Sequence, residues 1–208
     1  MIIGKISFPE FTGIRCLMMP YIQGDASSVP KQYKTYGDIL NSVYIKKHDI
    51  GYLTIDESFV EKGVPQRASR AKSERALHTE AGRQPNDLFS WGGTWGGSPK
   101  VTLDRDVKVL LANNIDESCA IWETDHTDTT TDGDIGHLAE LYPYHSSTMV
   151  RAGEIHEIGI FTPHESLPVK ESCNRQFLRI ISSGIHGAED YFTKNPLLEE
   201  RMRTYSNA

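Results

Sequence analysis

His164 and Arg175 are the residues whose types and spacing most directly suggest chemistry. They lie in Thr162-Pro-His-Glu-Ser-Leu-Pro-Val-Lys-Glu-Ser-Cys-Asn-Arg-Gln-Phe-Leu-Arg179, the histidine eleven positions ahead of the first arginine and Arg179 four positions beyond it. An imidazole nitrogen can ligate a metal ion, and a buried guanidinium can grip a carboxylate through two parallel hydrogen bonds. A Pro-Val and a polar turn separate the histidine from Arg175, so adjacent antiparallel strands carrying the two would aim both at one cavity. On an ideal strand Arg175 and Arg179 face the same side. The competing reading is an ion pair of these arginines with Glu165 or Glu171.

A mononuclear iron(II) centre that keeps positions open for reactants takes two histidines and one carboxylate on one face of the metal. The near two commonly arrive as His-x-Asp or His-x-Glu, because the two-residue repeat of a strand puts both side chains on one face. The chain holds two such pairs, His78-Thr-Glu80 and His126-Thr-Asp128. Only 36 positions separate Asp128 from His164, much of them polar loop, and four short strands with their turns barely fit there. The 84 positions after Glu80 hold them easily. Ala76–Glu80 alternates like a strand, whereas Asp125–Asp134 has the Asp/Thr/Gly composition of a turn. The spacing therefore favours His78 and Glu80, with His126 and Asp128 as the alternative near pair.

The elements that must position these residues are mostly strands. Residues 13–22 read as a strand broken at Pro20, residues 36–45 as a short helix, and residues 49–55 as a strand. From Glu61 to Lys100 the chain is polar. Its basic run Arg67–Arg75 reads as a solvated loop, and Trp91-Gly-Gly-Thr-Trp-Gly-Gly97 as a lid whose Trp91 and Trp95 touch substrate or simply pack. Residues 107–112 and 118–123 read as a hairpin about a polar turn. A short helical piece at 137–141 and strands near 148–150, 155–161 and 176–181 follow, with His156 as a packed or surface residue. Pro196 opens a tail helix over 195–203. Short, evenly spaced strands with turn chemistry between them suggest a sandwich or jelly roll.

Bulk properties narrow the function classes. The 208 residues suit a single domain spanning 1–208: a mixed α/β extension over 1–60, a core over 61–190 and a tail helix over 191–208. With 38% hydrophobic and 24% charged residues, no apolar run of membrane-span length and no signal-type N-terminus, a soluble protein without a membrane partner is expected. A net charge of −6 argues against nucleic acid as a partner. Cys16, Cys119 and Cys173 are odd in number and widely spaced, which fits free thiols in a reducing, cytoplasmic setting, the first two as core residues. Exposed jelly-roll edges often pair, so a homodimer is compatible.

The stretch 148–181, with its Ala-Gly-Glu turn at 152–154, Thr162-Pro-His-Glu-Ser-Leu-Pro-Val169 and Asn174-Arg-Gln-Phe-Leu-Arg179, resembles the last core strands of 2-oxoglutarate- and iron(II)-dependent oxygenases. The resemblance reaches more loosely to Ala76–Glu80 and residues 107–123, about half the chain. It implies a mainly β fold with a few flanking helices, a double-stranded β-helix of the cupin-like jelly-roll kind. It also implies Fe(II) as cofactor, 2-oxoglutarate as cosubstrate and hydroxylation of a small-molecule substrate. His78, Glu80 and His164 would be the metal ligands, Arg175 would bind the far carboxylate of 2-oxoglutarate, and Arg179 would assist. The family more often carries Asp where this chain has Glu80. Two other readings stand beside it: a metal-dependent cupin enzyme with the same ligands and no 2-oxoglutarate, and a non-enzymatic jelly-roll module binding a ligand or partner subunit.

Overall fold

The computed structural model describes residues 1–67, 75–83, 89–91, 100–102, 107–127, 133–182 and 192–198. They form a mainly β structure dominated by two antiparallel sheets. The larger has six strands in the order β1 (Ile2–Lys5), β11 (Glu154–Gly159), β8 (Lys108–Asn113), β13 (Cys173–Ser182), β3 (Ile50–Val60) and β2 (Arg15–Ile22). The smaller has four: β10 (Thr148–Met149), β9 (Cys119–Ile121), β12 (His164–Ser166) and β4 (Leu77–His78). A separate three-stranded sheet joins β5 (Ala81–Arg83), β6 (Phe89–Trp91) and β7 (Lys100–Thr102). No helix among the described residues is long and apolar enough to cross a membrane.

Alternation along the strands sorts side chains into three cores. In β8, Val109 and Leu111 face the space between the two sheets, together with Ile121, Ile158 and Ile181, while Leu110 and Ala112 face the opposite side. That opposite side, with Leu53, Ile55, Leu178 and Ile180, is covered by a 3-10 helix over Lys31–Tyr36 and by α1 (Gly37–Ser42), through Tyr33, Tyr36, Ile39 and Leu40. The outer face of the four-stranded sheet packs Leu77, Ala120 and Leu167 against Trp122, Ile135 and Tyr142. The central strands are therefore buried on both faces, which explains their continuous apolar runs.

Three sequence expectations change. The strand expected to break at Pro20 continues to Ile22, because β2 is the edge of its sheet and an edge position tolerates proline. Residues 107–112 and 118–123 do not form a hairpin: β8 and β9 lie in different sheets, and the turn between them carries the chain across the sandwich. Asn113 shapes that turn, its side-chain oxygen accepting from the Ile115 N–H and the Ser118 hydroxyl. The helix expected over 36–45 is a 3-10 turn followed by only six α-helical residues. Residues 136–141 are 3-10 helix, and a helical turn starts after Asn195, whose side chain accepts from the Leu197 N–H. The expected tail helix beyond residue 198 lies outside the described residues.

Glu57 ties the N-terminal layer to the sheet. One carboxylate oxygen accepts the N–H groups of Thr12 and Ile14 at 2.8 and 3.0 Å, and the other accepts the Tyr36 hydroxyl and the Gln176 amide at 2.7 and 2.8 Å. Burial alone would raise this carboxyl, but the donors from Tyr36, Gln176, Thr12 and Ile14 hold it below the ordinary range. Glu57→Gln turns an acceptor toward a donor field, and we expect a loss of about 2–3 kcal/mol in chemical denaturation at pH 7. A carboxyl lowered in the folded state stabilises above its unfolded pKa and ceases to as pH falls through the folded one. The gap between wild type and variant should therefore close below about pH 4. Equal stabilities at pH 7 would contradict this role.

Candidate metal centre

His164 on β12 stands directly opposite His78 on β4. Both, with Ser166, occupy the inward parity of the four-stranded sheet, since their neighbours Leu77 and Glu165 belong to its outer face. Glu80, two positions after His78, turns the same way. Ligand atoms of His78, Glu80 and His164 all lie within 4.8 Å of one another, and the three residues are 5%, 2% and 5% exposed. His164 Nε2 is 3.3 Å from a Glu80 oxygen, and the two imidazole centroids are 3.9 Å apart. Each histidine places Nδ1 2.9 Å from a backbone carbonyl two residues earlier, Ala76 for His78 and Thr162 for His164. A carbonyl can only accept, so each Nδ1 is the donor, and in the neutral ring Nε2 is then the nitrogen that can ligate a metal. This buried group could hold a metal ion.

Glu80 is also the point where the two sheets meet electrostatically. Arg179, on β13 of the six-stranded sheet, reaches across and sets Nη1 2.7 Å from both Glu80 oxygens. Its Nη2 faces Thr54 Oγ1 and Met18 Sδ. Burial would raise the Glu80 carboxyl, but Arg179 and then His164 hold it well below the usual carboxylate range. Burial, followed by the nearby charges of Arg67 and His164, pushes the His78 imidazole well below its ordinary value. A carboxylate and a neutral imidazole are the forms in which these two groups could ligate a metal.

Arg175 lies on the same face of β13 as Arg179 and is 1% exposed. Its Nη1 donates to Ser166 Oγ and its Nη2 to the Ser118 carbonyl, both at 2.9 Å, while Nε has no partner. Among the described residues no carboxylate pairs with it. Glu171 pairs instead with Lys62, and Glu165 with Arg75, so neither supplies the ion pair considered from sequence. Ser166 sits two residues beyond His164 on the same face, about 7 Å along the strand. His164 and Arg175 do not lie on adjacent strands of one sheet; β12 and β13 belong to opposite sheets and face each other across the gap.

The structure brings His78 and Glu80, not His126, to His164. His126 Nδ1 lies 2.6 Å from the Tyr142 hydroxyl, and Asp128 falls outside the described residues. Trp91 ends β6; its side chain and Trp95 also fall outside them. His156 is buried beside Glu154, and Cys16 and Cys119 are core residues whose thiols burial pushes up to about 12 and about 11. Arg75, read from sequence as part of a solvated loop, is instead held in a buried ion pair. Sequence reasoning missed that pair and the partners Ser118 and Ser166. The only local signal was an arginine three positions before an alternating His-x-Glu. Comparisons with protein-family models, with curated proteins and with solved structures found no match.

A ligand set of this kind should make stability depend on metal. Co(II) or Zn(II) should raise the melting temperature of the wild type in proportion to the logarithm of metal concentration. His164→Ala should weaken binding on the order of 100-fold or more, beyond what loss of an outer hydrogen-bond partner costs. Equal shifts in wild type and His164→Ala, read by differential scanning fluorimetry, would contradict the assignment.

Proposed function

We propose that this chain is a 2-oxoglutarate- and iron(II)-dependent oxygenase, acting on a small-molecule substrate and built on a double-stranded β-helix. The strand pairing supports that fold. β3 pairs with β13, β4 with β12, β8 with β11 and β9 with β10, from the outermost pair inward. Successive pairs belong to alternate sheets. This is the pattern of one long double strand wound into a jelly roll.

The observation that carries the function is Arg175. A fully buried guanidinium whose partners among the described residues are a hydroxyl and a carbonyl has no carboxylate there to balance its charge, which is costly in a low-dielectric space unless an anion arrives. One strand step from a two-histidine, one-carboxylate group, the fitting anion is the distal carboxylate of a short diacid whose other end reaches the metal. In this reading His78, Glu80 and His164 hold Fe(II) through two nitrogens and one oxygen, a donor set suited to it. Iron(II) bound there would supply oxygen activation coupled to oxidative decarboxylation of 2-oxoglutarate. The chain's own residues do the rest. Arg175 and Ser166 orient the cosubstrate, Arg179 keeps Glu80 ionised and aimed, and the apolar wall of Ile121 and Leu111 keeps water out. Three unpaired cysteines fit a reducing compartment such as the cytoplasm.

Anaerobic addition of Fe(II) and then 2-oxoglutarate should produce the weak visible charge-transfer band of the chelate. Arg175→Ala should lose about 2–4 kcal/mol of 2-oxoglutarate affinity while retaining metal affinity. Metal binding with no band, and no effect of Arg175→Ala, would favour a metal-dependent cupin enzyme that does not use 2-oxoglutarate. Metal content unchanged in a His78/His164 double variant would favour a binding module.

A further inference from the structure

β4 is only two residues long: it has two register pairs to β12 on one side and, on the other, a single bridge from His78 to Asp134 with the Thr79 N–H donating to the Gly133 carbonyl and the Ile135 N–H to the Leu77 carbonyl. So short a strand holds its register through few backbone bonds, and a slip of one residue would turn His78 outward and Leu77 toward the metal site. The outer face of the sheet adds side-chain contacts that oppose such a slip. Arg75, three residues before His78, places Nε and Nη2 at 2.9 and 2.6 Å from one oxygen of Glu165, the residue after His164. Its Nη1 donates to the carbonyls of Ala139 and Tyr142. Its guanidinium lies 4.4 Å from the Tyr144 ring centre and 5.4 Å from that of Trp122, and the Tyr144 hydroxyl donates to the other Glu165 oxygen.

Glu165 is 2% exposed and the Arg75 side chain 19%, so this pair is partly sheltered from the water that screens a surface pair. The next carbonyl along from Arg75, that of Ala76, is the one that orients the His78 ring. The chain of contact runs from Glu165 to Arg75, to the Ala76 carbonyl, to His78 Nδ1 and so to its Nε2.

We propose that Arg75 and Glu165 are positioning residues for the metal centre: an ion pair on the far face of the sheet that reinforces the register of the two histidines and tunes metal affinity without touching the metal. The proposal rests on the metal-centre reading but not on 2-oxoglutarate. It is tested by Co(II) titration of the full chain, well below the melting temperature, following affinity and the visible ligand-field spectrum. Glu165→Gln keeps the side-chain shape, and Arg75→Lys keeps the charge while losing the fork, so the second carries the test if the first does not fold. Glu57→Gln, in the N-terminal layer, controls for a general loss of stability. Both pair variants should bind Co(II) 10–100-fold more weakly, with an altered spectrum, while Glu57→Gln changes neither. Wild-type affinity and spectrum in both pair variants would overturn the proposal. In that case loss of Co(II) binding by His164→Ala would show that the metal-centre reading still stands. Equal Co(II) binding by wild type and His164→Ala would overturn both.

Discussion

The space between the two sheets admits charge only where charge is compensated, and the cross-sheet pair of Glu80 and Arg179 is where that rule is first satisfied. Neither residue can be buried alone; removing one partner of such a pair costs about 3–5 kcal/mol because the other is stranded. The pair therefore fixes the separation of β13 from the segment following β4, and with it the place of Glu80 beside the two histidines. The carboxylate can meet both demands because it is glutamate. Its extra methylene, relative to aspartate, lets one group face an arginine from the opposite sheet and still lie 3.3 Å from His164.

The same rule gives Arg175 its meaning. Two arginines leave one face of β13 toward the interior, and among the described residues only Arg179 finds a carboxylate there. The other holds a hydroxyl and a carbonyl, arrangements that satisfy hydrogen bonding but not charge. In the proposed reading an anionic ligand supplies the missing charge, and the surrounding fold shelters it from water. The hydrophobic residues of β8, β9 and β11 wall the space, and the N-terminal layer seals the outer face of the large sheet through Tyr33, Tyr36, Ile39 and Leu40.

Much of this was legible in the sequence because it depends on period and spacing. The His-x-Glu alternation and the choice of His78 and Glu80 as neighbours of His164 survive folding, since strands preserve parity, whereas the eleven-residue step to Arg175 spans opposite sheets rather than the adjacent strands expected. What was not legible depends on which sheet an element joins. The turn at 114–117 has ordinary reversal chemistry, and nothing local says that β9 leaves the sheet of β8. Pro20 reads as a break until β2 is known to be an edge. Arg75 reads as solvent-facing because its partners, Glu165, Tyr144 and Trp122, come from three distant segments that only the folded sheet brings together.

In the proposed reading the two-histidine, one-glutamate group and Arg175 form one site for a metal ion and a dicarboxylate. A crystal structure of the protein soaked anaerobically with Mn(II), a redox-quiet substitute for iron(II), and 2-oxoglutarate tests it most directly. The account predicts an anomalous-scattering peak bonded to His78 Nε2, His164 Nε2 and a Glu80 oxygen, with a carboxylate of the diacid resting on Arg175. No peak at those three residues, or a diacid bound away from Arg175, would contradict it.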